Sequence, residues 1–226
     1  MNEAETRAEL IDPKLKENGW DQKLNPAVKV HREYLISAGK IKASGGREKS
    51  LKADYVLKYH NRMLGVVEAK SDEQEVGEGV AQAKDYAIKL KLDTAYATNG
   101  LEIYHIDMDS AVEGLVKDYK SPDELWKKTF PDQNDWQDSF NAIPYEDRNG
   151  TMGGRFYQEI AIDKTMDAIA QKRNRILLTL ATGTGKTFIA FQITWKLFQS
   201  RWNLKYDGSR RRTRLRPAFK QFCSSD

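Results

Sequence analysis

The sequence contains almost no cysteine and no long apolar run, and both absences limit what the protein can be. Of its 226 residues only Cys223 is a cysteine, which excludes an internal disulfide framework and favours a reducing compartment. No stretch approaches the roughly eighteen consecutive apolar residues of a membrane helix. The charged opening MNEAETRAELIDPKLKENGW also lacks the apolar core of a signal peptide. We therefore expect a cytoplasmic protein without a membrane segment.

The body of the sequence also lacks an excess of positive charge. The 37 lysines and arginines and the 33 aspartates and glutamates give a net charge of +4. Residues 201–226 hold eight of the basic residues and two of the acidic ones, a net of +6, so residues 1–200 hold 29 and 31, a net of −2. Any DNA-binding function therefore has to depend on specific sites rather than on bulk charge.

The sequence has no internal repeat, and its hydrophobic pattern predicts a small α/β domain that ends near residue 110. Ala4, Ala8, Ile11 and Leu15 fall at helical spacing and predict an amphipathic helix over residues 4–18. The next predicted elements are a strand at 27–36, a hairpin of strands at 53–60 and 62–70, a helix at 71–92 and a hairpin within 94–107.

Residues 111–150 are polar and interrupted by prolines, which is typical of a connecting segment with short helices. The glycine-rich stretch Gly150–Gly154 marks the predicted boundary with a second domain. After it, the pattern predicts a helix at 155–171, a buried strand in RILLTLA at 175–181 and a helix at 185–199.

A glycine-rich loop lies between that predicted strand and helix, which is the context of a phosphate-binding loop. Its glycines let backbone N–H groups curl around phosphates, the lysine would reach the β- and γ-phosphates, and the final threonine hydroxyl would bind Mg²⁺. Leu180 replaces the first glycine of the strict pattern. The predicted nucleotide-binding residues are Thr182, Gly183, Thr184, Gly185, Lys186 and Thr187.

Two carboxylates and a lysine fall on the first predicted hairpin. Asp54 lies early in one strand, and Glu68 and Lys70 lie at the end of the next, where alternation points both to the same face. Two carboxylates supply the hard oxygen ligands that Mg²⁺ prefers. Lys70 would orient or deprotonate a bound water, or stabilise charge on the attacked phosphate. Gln82 and Tyr86, at i and i+4, share one face of the following helix and can both look toward the hairpin.

These residues resemble a nuclease motif. Asp54 and the Glu68-Ala69-Lys70 sequence resemble the PD-(D/E)xK pattern, with Ala53 at the position of the nominal proline. Together with Gln82-x-x-x-Tyr86 they resemble the R subunits of type I restriction enzymes and related RecB-like nucleases. An acid in front of Glu-x-Lys also occurs by chance in charge-rich proteins, so the added glutamine and tyrosine carry the prediction.

The second half of the chain extends the resemblance. The loop sequence Ala-Thr-Gly-x-Gly-Lys-Thr resembles motif I of superfamily 2 helicases. Gln158, in Arg-Phe-Tyr-Gln before a predicted helix, resembles the glutamine of the helicase Q-motif, which hydrogen-bonds adenine. The resemblance to type I R subunits therefore covers residues 1 to about 208, with the motifs in the family's order.

The resemblance implies a fold and a function. The expected fold is α/β: a restriction-endonuclease-like mixed sheet flanked by helices, followed by an incomplete RecA-like P-loop segment. The expected domains are 1–150, nuclease with connecting segment, and 151–208, the start of a helicase lobe. The implied function is cleavage of double-stranded DNA with Mg²⁺ and ATP, Asp54 and Glu68 being the metal ligands. The implied partners are methyltransferase and specificity subunits.

The first helix adds two candidates for the metal site. Folds of this kind often lend a helix-1 glutamate to the metal, and Glu5 and Glu9 lie four residues apart on one helix face. A solvated charged face is the alternative for both residues.

The end of the sequence departs from the family. The arginine-rich tail 209–226 stands where an apolar strand is expected, and no Walker B carboxylate box can follow within it. This pattern favours a frameshift or truncation near residues 210–213, and ATP binding by this fragment is expected to be poor.

Other functions remain open from the sequence. A different nuclease–helicase fusion is possible, although type III subunits generally carry the nuclease after the motor. A catalytically inactive fragment that binds DNA or subunits is a second alternative. A small P-loop ATPase or kinase is disfavoured, because too little chain follows the loop.

Overall fold

A computed structural model describes residues 1–37, 50–132, 135–146 and 154–206, with side chains as far as residue 200. The predicted basic tail therefore lies outside the described residues. The helical elements are α1 Glu3–Thr6, a π-helical turn Arg7–Ile11, α2 Asp12–Glu17, a 3₁₀ turn Val76–Gly79, α3 Val80–Leu90, α4 Pro122–Thr129, α5 Asp135–Ala142, α6 Phe156–Ala170 and α7 Lys186–Tyr206. The strands are β1 Val28–Ser37, β2 Leu51–Tyr59, β3 Arg62–Ala69, β4 Thr94–Thr98, β5 Ile103–Asp107 and β6 Glu113–Val116.

The six strands form one mixed sheet in the order β1-β2-β3-β4-β5-β6. Neighbouring strands are antiparallel except β3 and β4, which are parallel. A parallel pair needs a crossover connection, and α3 lies in that connection. The predicted mixed sheet flanked by helices is therefore confirmed.

Both predicted hairpins are present. The β2–β3 turn has positive φ at His60 and Asn61 (46° and 61°), and the β4–β5 turn has φ 84° at Gly100. In the β2–β3 turn, positive φ at both central residues gives a twist that matches that of the flanking strands. The local sequence therefore determines these two pairings.

Each face of the sheet is covered by its own hydrophobic core. Strand β4 shows the alternation, since Tyr96 belongs to one core and its neighbours Ala95 and Ala97 to the other. Ile11 and Leu15 of the N-terminal helical segment and Leu125 of α4 join Tyr96. Residues of α3, including Ala83 and Ala87, cover the opposite face. The two faces of the sheet are thus covered by two separate layers.

The buried face of the N-terminal helix differs from the predicted one. Ala4 and Ala8 are exposed, whereas Thr6, Ile11 and Leu15 are buried. The cause is the π-helical turn, in which the N–H of Asp12 bonds to the carbonyl of Arg7, five residues back. Pro13 has no N–H, and its ring disfavours the ordinary helical approach to the carbonyl four residues earlier. The wider turn shifts the helical phase by one residue.

One strand of the sheet-containing part was missed in the sequence, and one of the short helices predicted within residues 111–150 belongs to the sheet's core rather than to a connecting segment. Strand β6 pairs with β5, and α4 buries Leu125 against the core. The sequence signal for α4 was available: Ser121 and Glu124 form a capping box around Pro122. The α/β core therefore extends beyond residue 110.

The chain divides into two compact units. The first comprises Met1–Gln133 and Gly154–Ile160, and the second comprises Asn134–Gly153 and Ala161–Asp226. The predicted boundary at residue 150 falls outside the described residues. The second unit has its own core, whose buried members come from α5, α6 and α7: Phe140, Ile162, Met166, Ala170, Ile189 and Ile193.

The predicted helices at 155–171 and 185–199 are confirmed as α6 and α7, but the predicted strand at 175–181 is wrong. These residues form no strand, and Leu177 is 89% exposed. A buried strand requires neighbours to pair with, and all the strands in the described part of the chain belong to the first unit. No helix in the described ranges has both the length and the apolar composition that crossing a membrane requires.

A buried ion pair in the first unit fixes the start of α6 to the sheet. Lys58 Nζ lies 2.6 Å from Glu159 Oε2, and the side chains are 8% and 9% exposed. The Tyr34 hydroxyl donates to the same carboxylate at 3.5 Å, and Lys58 lies over the Tyr34 ring at 5.3 Å. Two buried charges that satisfy each other in this way become costly when one is removed.

We expect Glu159→Leu and Lys58→Met, made singly, to lower the free energy of unfolding by about 3–5 kcal/mol each. The double variant should recover most of this loss, because neither charge of the pair is left behind without the other. Urea unfolding followed by circular dichroism measures the changes. Lys89→Ala, which removes an exposed pair with Asp85, is the control and should cost less than about 1 kcal/mol. A double variant as unstable as the singles would contradict this account.

Candidate active site

Asp54 and Glu68 lie where the β2–β3 ladder ends. The paired register runs from Tyr59–Arg62 to Tyr55–Val67, and the two carboxylates follow immediately beyond it. The backbone N–H of Ala69 donates to Asp54 Oδ2 at 2.8 Å, which draws the Asp54 side chain across to β3. The structure therefore brings together the two residues that the sequence predicted as metal ligands.

The Glu68 carboxyl is the more buried of the two, with the residue 2% exposed. Its Oε1 accepts from Lys70 Nζ at 2.7 Å, while Oε2 is buried and has no hydrogen-bond partner in the described part of the chain. Burial, followed by the charge of Asp54, raises the pKa of Glu68 to about 8. Within the described residues, one oxygen of the Glu68 carboxyl therefore contacts a cation and the other does not.

Lys70 connects the carboxylates to α3. Its backbone N–H donates to the carbonyl of Thr98 at 2.8 Å, and its ammonium group donates to Gln82 Oε1 at 3.2 Å. Gln82 Nε2 donates in turn to the Tyr86 hydroxyl at 2.5 Å. Glu68, Lys70, Gln82 and Tyr86 thus form one continuous hydrogen-bonded chain.

The protonation state of Lys70 follows from its surroundings. Burial acts to lower its pKa, but the hydrogen bond and charge of Glu68 and the charge of Asp54 outweigh burial, so the pKa is raised. Burial also raises the pKa of Tyr86. At neutral pH this hydrogen-bonded chain therefore contains the Lys70 ammonium group and the neutral Tyr86 phenol.

Two residues of this cluster were not predicted from the sequence. Gly79 lies against the side-chain carbons of Glu68 and Lys70. A Cβ at this position would lie 3.4 Å from Glu68 Cγ and 3.6 Å from Lys70 Cγ. Arg7 lies on the other side, with Nη1 3.3 Å from Asp54 Oδ1. Neither residue stands in a local motif, so no sequence signal pointed to them.

The two glutamates predicted from the first helix do not join this network. Glu5 and Glu9 are both exposed, and the Glu5 carboxylate accepts from the N–H of Asn2 in a capping box at the start of α1. Glu3, also in α1, is linked to the cluster through Arg7, because Glu3 Oε1 lies 3.9 Å from Arg7 Nη2.

The donor set fits a hard divalent cation. Within the described ranges, no three or more His, Cys, Asp or Glu side chains form a group that could hold a metal ion, so a closed all-protein cage is not present there. Asp54 and Glu68 offer two carboxylates, and Glu68 Oε2 is an unpartnered buried oxygen. Mg²⁺ commonly binds through one or two carboxylates and keeps water or phosphate oxygens as its other ligands.

The predicted phosphate loop lies in the second unit, at the start of α7. Gly183 and Gly185 have φ of 78° and 80°, a backbone conformation that other residues adopt only with strain. Lys186 is the first residue of α7 and is exposed, as is Thr187. The Thr184 hydroxyl donates to the carbonyl of Ala181 at 2.6 Å. An exposed loop at a helix N-terminus is suited to anions.

Gln158 belongs to the first unit. Its side-chain oxygen accepts from the backbone N–H of Arg155 at 2.9 Å and so caps the start of its own helix. The residue is 8% exposed. This capping contact uses the amide oxygen of Gln158.

Two family descriptions match the chain. Residues 34–123 match the second domain of the type I restriction enzyme EcoKI endonuclease subunit. Residues 151–206 match the family described as the res subunit of type III restriction enzymes. The first match contains Asp54, Glu68, Lys70, Gln82 and Tyr86, and the second contains the phosphate loop.

Relatives cover more of the chain. The endonuclease subunit of the type I restriction enzyme EcoAI from Escherichia coli is 36% identical over 215 residues, which cover 89% of this chain and 26% of the relative. A fragment structure of an HsdR subunit of a type I restriction enzyme from Vibrio vulnificus YJ016 has a TM-score of 0.78 and 40% identity, covering 95% of this chain and 41% of that one. The chain belongs to the type I restriction endonuclease subunit family.

A third relative agrees with this assignment. The EcoKI endonuclease subunit of Escherichia coli K12 is 30% identical over 129 residues, which cover 50% of this chain and 10% of the relative. The chain thus spans about a quarter or less of the length of the curated type I subunits that it matches. The type III description matches only the part with the phosphate loop.

The raised pKa of Glu68 predicts how the free energy of unfolding of this protein depends on pH in the absence of metal. An unfolded glutamate ionises near its ordinary pKa of 4.5, whereas folded Glu68 stays protonated up to about pH 8. The unfolded state therefore loses its proton first, and the free energy of unfolding should fall between about pH 4.5 and 8, by a few kcal/mol at most. Urea unfolding in EDTA at several pH values measures this slope.

Glu68→Gln is the matched variant, because it keeps the shape and removes the titrating proton. Its unfolding free energy should vary less between pH 5 and pH 8 than that of the wild type. An unchanged slope in Glu68→Gln would assign the pH dependence to other groups.

Proposed function

We propose that this chain carries the nuclease chemistry of a type I restriction endonuclease R subunit and hydrolyses phosphodiester bonds of double-stranded DNA with Mg²⁺. The observation that supports this most is the cluster of Asp54, Glu68 and Lys70, in which two adjacent carboxylates leave one buried oxygen without a hydrogen-bond partner among the described residues. The relatives named above are endonuclease subunits, which supports the same reaction class.

The roles of the residues follow from their contacts. Asp54 and Glu68 would hold Mg²⁺, which when bound lowers the pKa of a ligand water and stabilises negative charge on the attacked phosphate. Lys70 keeps its proton at neutral pH, so it acts as a hydrogen-bond donor that orients water or stabilises phosphoryl oxygens, rather than as a base.

Gln82 and Tyr86 position Lys70. The amide of Gln82 can present its oxygen to the lysine only while its NH₂ group points elsewhere, and the Tyr86 hydroxyl accepts from that NH₂ group. Tyr86 is anchored by burial in the core beside α3. The tyrosine thus sets the orientation of the glutamine, and the glutamine sets the position of the ammonium group.

The second part of the proposal concerns the nucleotide. Residues 151–208 would be the start of a RecA-like lobe that binds ATP through Thr182, Gly183, Thr184, Gly185, Lys186 and Thr187. Gln158 would contact adenine. The positive φ of both glycines and the start of α7 at Lys186 support this assignment. ATP would supply the energy for DNA translocation in the complete subunit.

The partners and the compartment are also proposals. We expect double-stranded DNA as substrate, methyltransferase and specificity subunits as partners, and a cytoplasmic location. In such a complex the DNA target is chosen by another subunit, so this chain would need no base-reading element of its own.

A second candidate function is binding without turnover. The second unit exposes large apolar side chains, including Leu177, Phe191 and Phe198. Apolar surface of this kind favours association with other protein surface. A chain that binds subunits but does not cleave DNA would also have this feature.

Plasmid cleavage separates the two candidates. The wild-type chain with Mg²⁺ or Mn²⁺ should nick supercoiled plasmid, and Asp54→Ala and Lys70→Ala should each lose about a hundredfold or more in rate, the scale expected when a group acting on transition-state charge is removed. Asp85→Ala and Lys89→Ala remove an acid and a base from the exposed side of α3 and should retain the wild-type rate. Equal nicking by all five proteins would reject the nuclease assignment.

The positioning chain predicts a graded pair of effects. Gln82→Ala removes the amide that contacts Lys70, whereas Tyr86→Phe removes only the hydroxyl that orients this amide. We expect Gln82→Ala to lower the cleavage rate more than Tyr86→Phe, with little change in the metal concentration for half-maximal rate. Single-turnover rates across a Mg²⁺ titration measure both quantities, and the reverse order of effects would contradict the proposed direction of support.

A further inference from the structure

Arg7 is the second cation of the candidate site. Its guanidinium lies 3.3 Å from Asp54 Oδ1, 3.7 Å from Glu33 Oε1 and 3.9 Å from Glu3 Oε1, and its side chain is 18% exposed. Lys70 pairs with Glu68 and Arg7 pairs with Asp54, so each of the two candidate metal ligands has its own cation. An arginine keeps its charge at every accessible pH.

The two cations are held very differently. Lys70 makes a 2.7 Å bond to Glu68 and a second bond to Gln82. The Arg7 contacts are all 3.3 Å or longer, beyond the usual range for an N–H···O bond, so Arg7 is attracted to three carboxylates without being fixed by one. It can therefore change partners at a low energetic cost.

The backbone explains how Arg7 reaches this position. Arg7 is the first residue of the π-helical turn, and its carbonyl accepts the wide hydrogen bond from Asp12. The neighbouring Thr6 is buried, so this side of the helix faces the protein. Single π-helical turns occur frequently at functional sites, where they redirect a side chain.

We propose that Arg7 is a phosphate-binding residue that rests on Asp54 in the metal-free site and is free to contact a DNA phosphate once that carboxylate holds a divalent cation. This inference rests on the proposed nuclease function. A guanidinium and a divalent cation at the same carboxylate oxygen repel each other, so they compete for Asp54. A guanidinium also matches two phosphate oxygens at once, which makes an adjacent backbone phosphate its natural alternative partner.

The proposal gives Arg7 effects of opposite sign. Removing the arginine should strengthen metal binding in the absence of DNA, because a competitor for Asp54 is lost. It should weaken DNA binding only when metal is present, because only then is Arg7 released. A purely structural role would weaken metal binding and would weaken DNA binding equally with and without metal.

The test uses the full chain with Arg7→Gln, Arg7→Lys and the control Lys14→Gln. Lys14 lies in the same N-terminal helical segment but pairs with Glu17 and Asp118 at the surface. Calorimetric titration with Ca²⁺, which takes the same oxygen ligands as Mg²⁺, measures metal affinity without DNA. Fluorescence anisotropy of a labelled duplex, in Ca²⁺ or in EDTA, measures DNA affinity.

We expect Arg7→Gln to bind Ca²⁺ about two- to fivefold more tightly than the wild type, which is the range that a partly exposed ion pair supports. In Ca²⁺ it should bind the duplex at least about threefold more weakly, as expected for the loss of one phosphate contact, and in EDTA it should match the wild type. Arg7→Lys should bind the duplex more tightly than Arg7→Gln, because lysine keeps the positive charge but not the paired N–H donors of the guanidinium group. Lys14→Gln should bind Ca²⁺ like the wild type.

Two results would overturn the inference: unchanged or weaker Ca²⁺ binding by Arg7→Gln, or an equal loss of DNA affinity in Ca²⁺ and in EDTA. Neither measurement requires cleavage. A wild-type chain that fails to nick plasmid therefore rejects the proposed function, while the titration still decides whether Arg7 competes for Asp54.

Discussion

The hydrogen bond from the backbone of Ala69 to Asp54 is the contact on which the arrangement of the candidate site depends. The β2–β3 ladder ends at Tyr55 and Val67, so beyond that pair strand pairing no longer holds β2 and β3 to each other. The Ala69 N–H takes over at that point and holds one carboxylate against the strand that carries the other. Burial and, after it, the neighbouring charge of Asp54 both oppose ionisation of Glu68, and its raised pKa reflects them.

Helices on both faces of the sheet contribute groups to the surroundings of these carboxylates. The N-terminal helical segment, whose Ile11 and Leu15 pack on one face, brings Arg7 to Asp54. Helix α3, which packs on the other face, brings Gln82 to Lys70. The site thus needs both helical layers as well as the hairpin. A hairpin alone would lack Arg7 beside Asp54 and Gln82 beside Lys70.

Features set by nearby residues could be predicted from the sequence, and features set by distant ones could not. The hairpins follow from turn residues such as Asn61 and Gly100, and the shared face of Gln82 and Tyr86 follows from helical spacing. The prediction for the buried face of the first helix was wrong because Pro13 favours a wide turn in the residues before it. The strand at 175–181 was wrong because apolar composition does not supply a pairing partner. Gly79 and Arg7 matter through contacts with residues far along the chain, which no local pattern records.

The double covering of the sheet limits how a long polymer can reach the carboxylates. Tyr96 on one face and Ala95 and Ala97 on the other are fully buried, so neither face of the central strands is open to solvent. Asp54 and Lys70 lie beyond the last β2–β3 residue pair, and they keep 17% and 16% of their side-chain surface exposed. Under the proposed nuclease function, a duplex would therefore meet the carboxylates beyond the end of the β2–β3 ladder rather than over a face of the sheet.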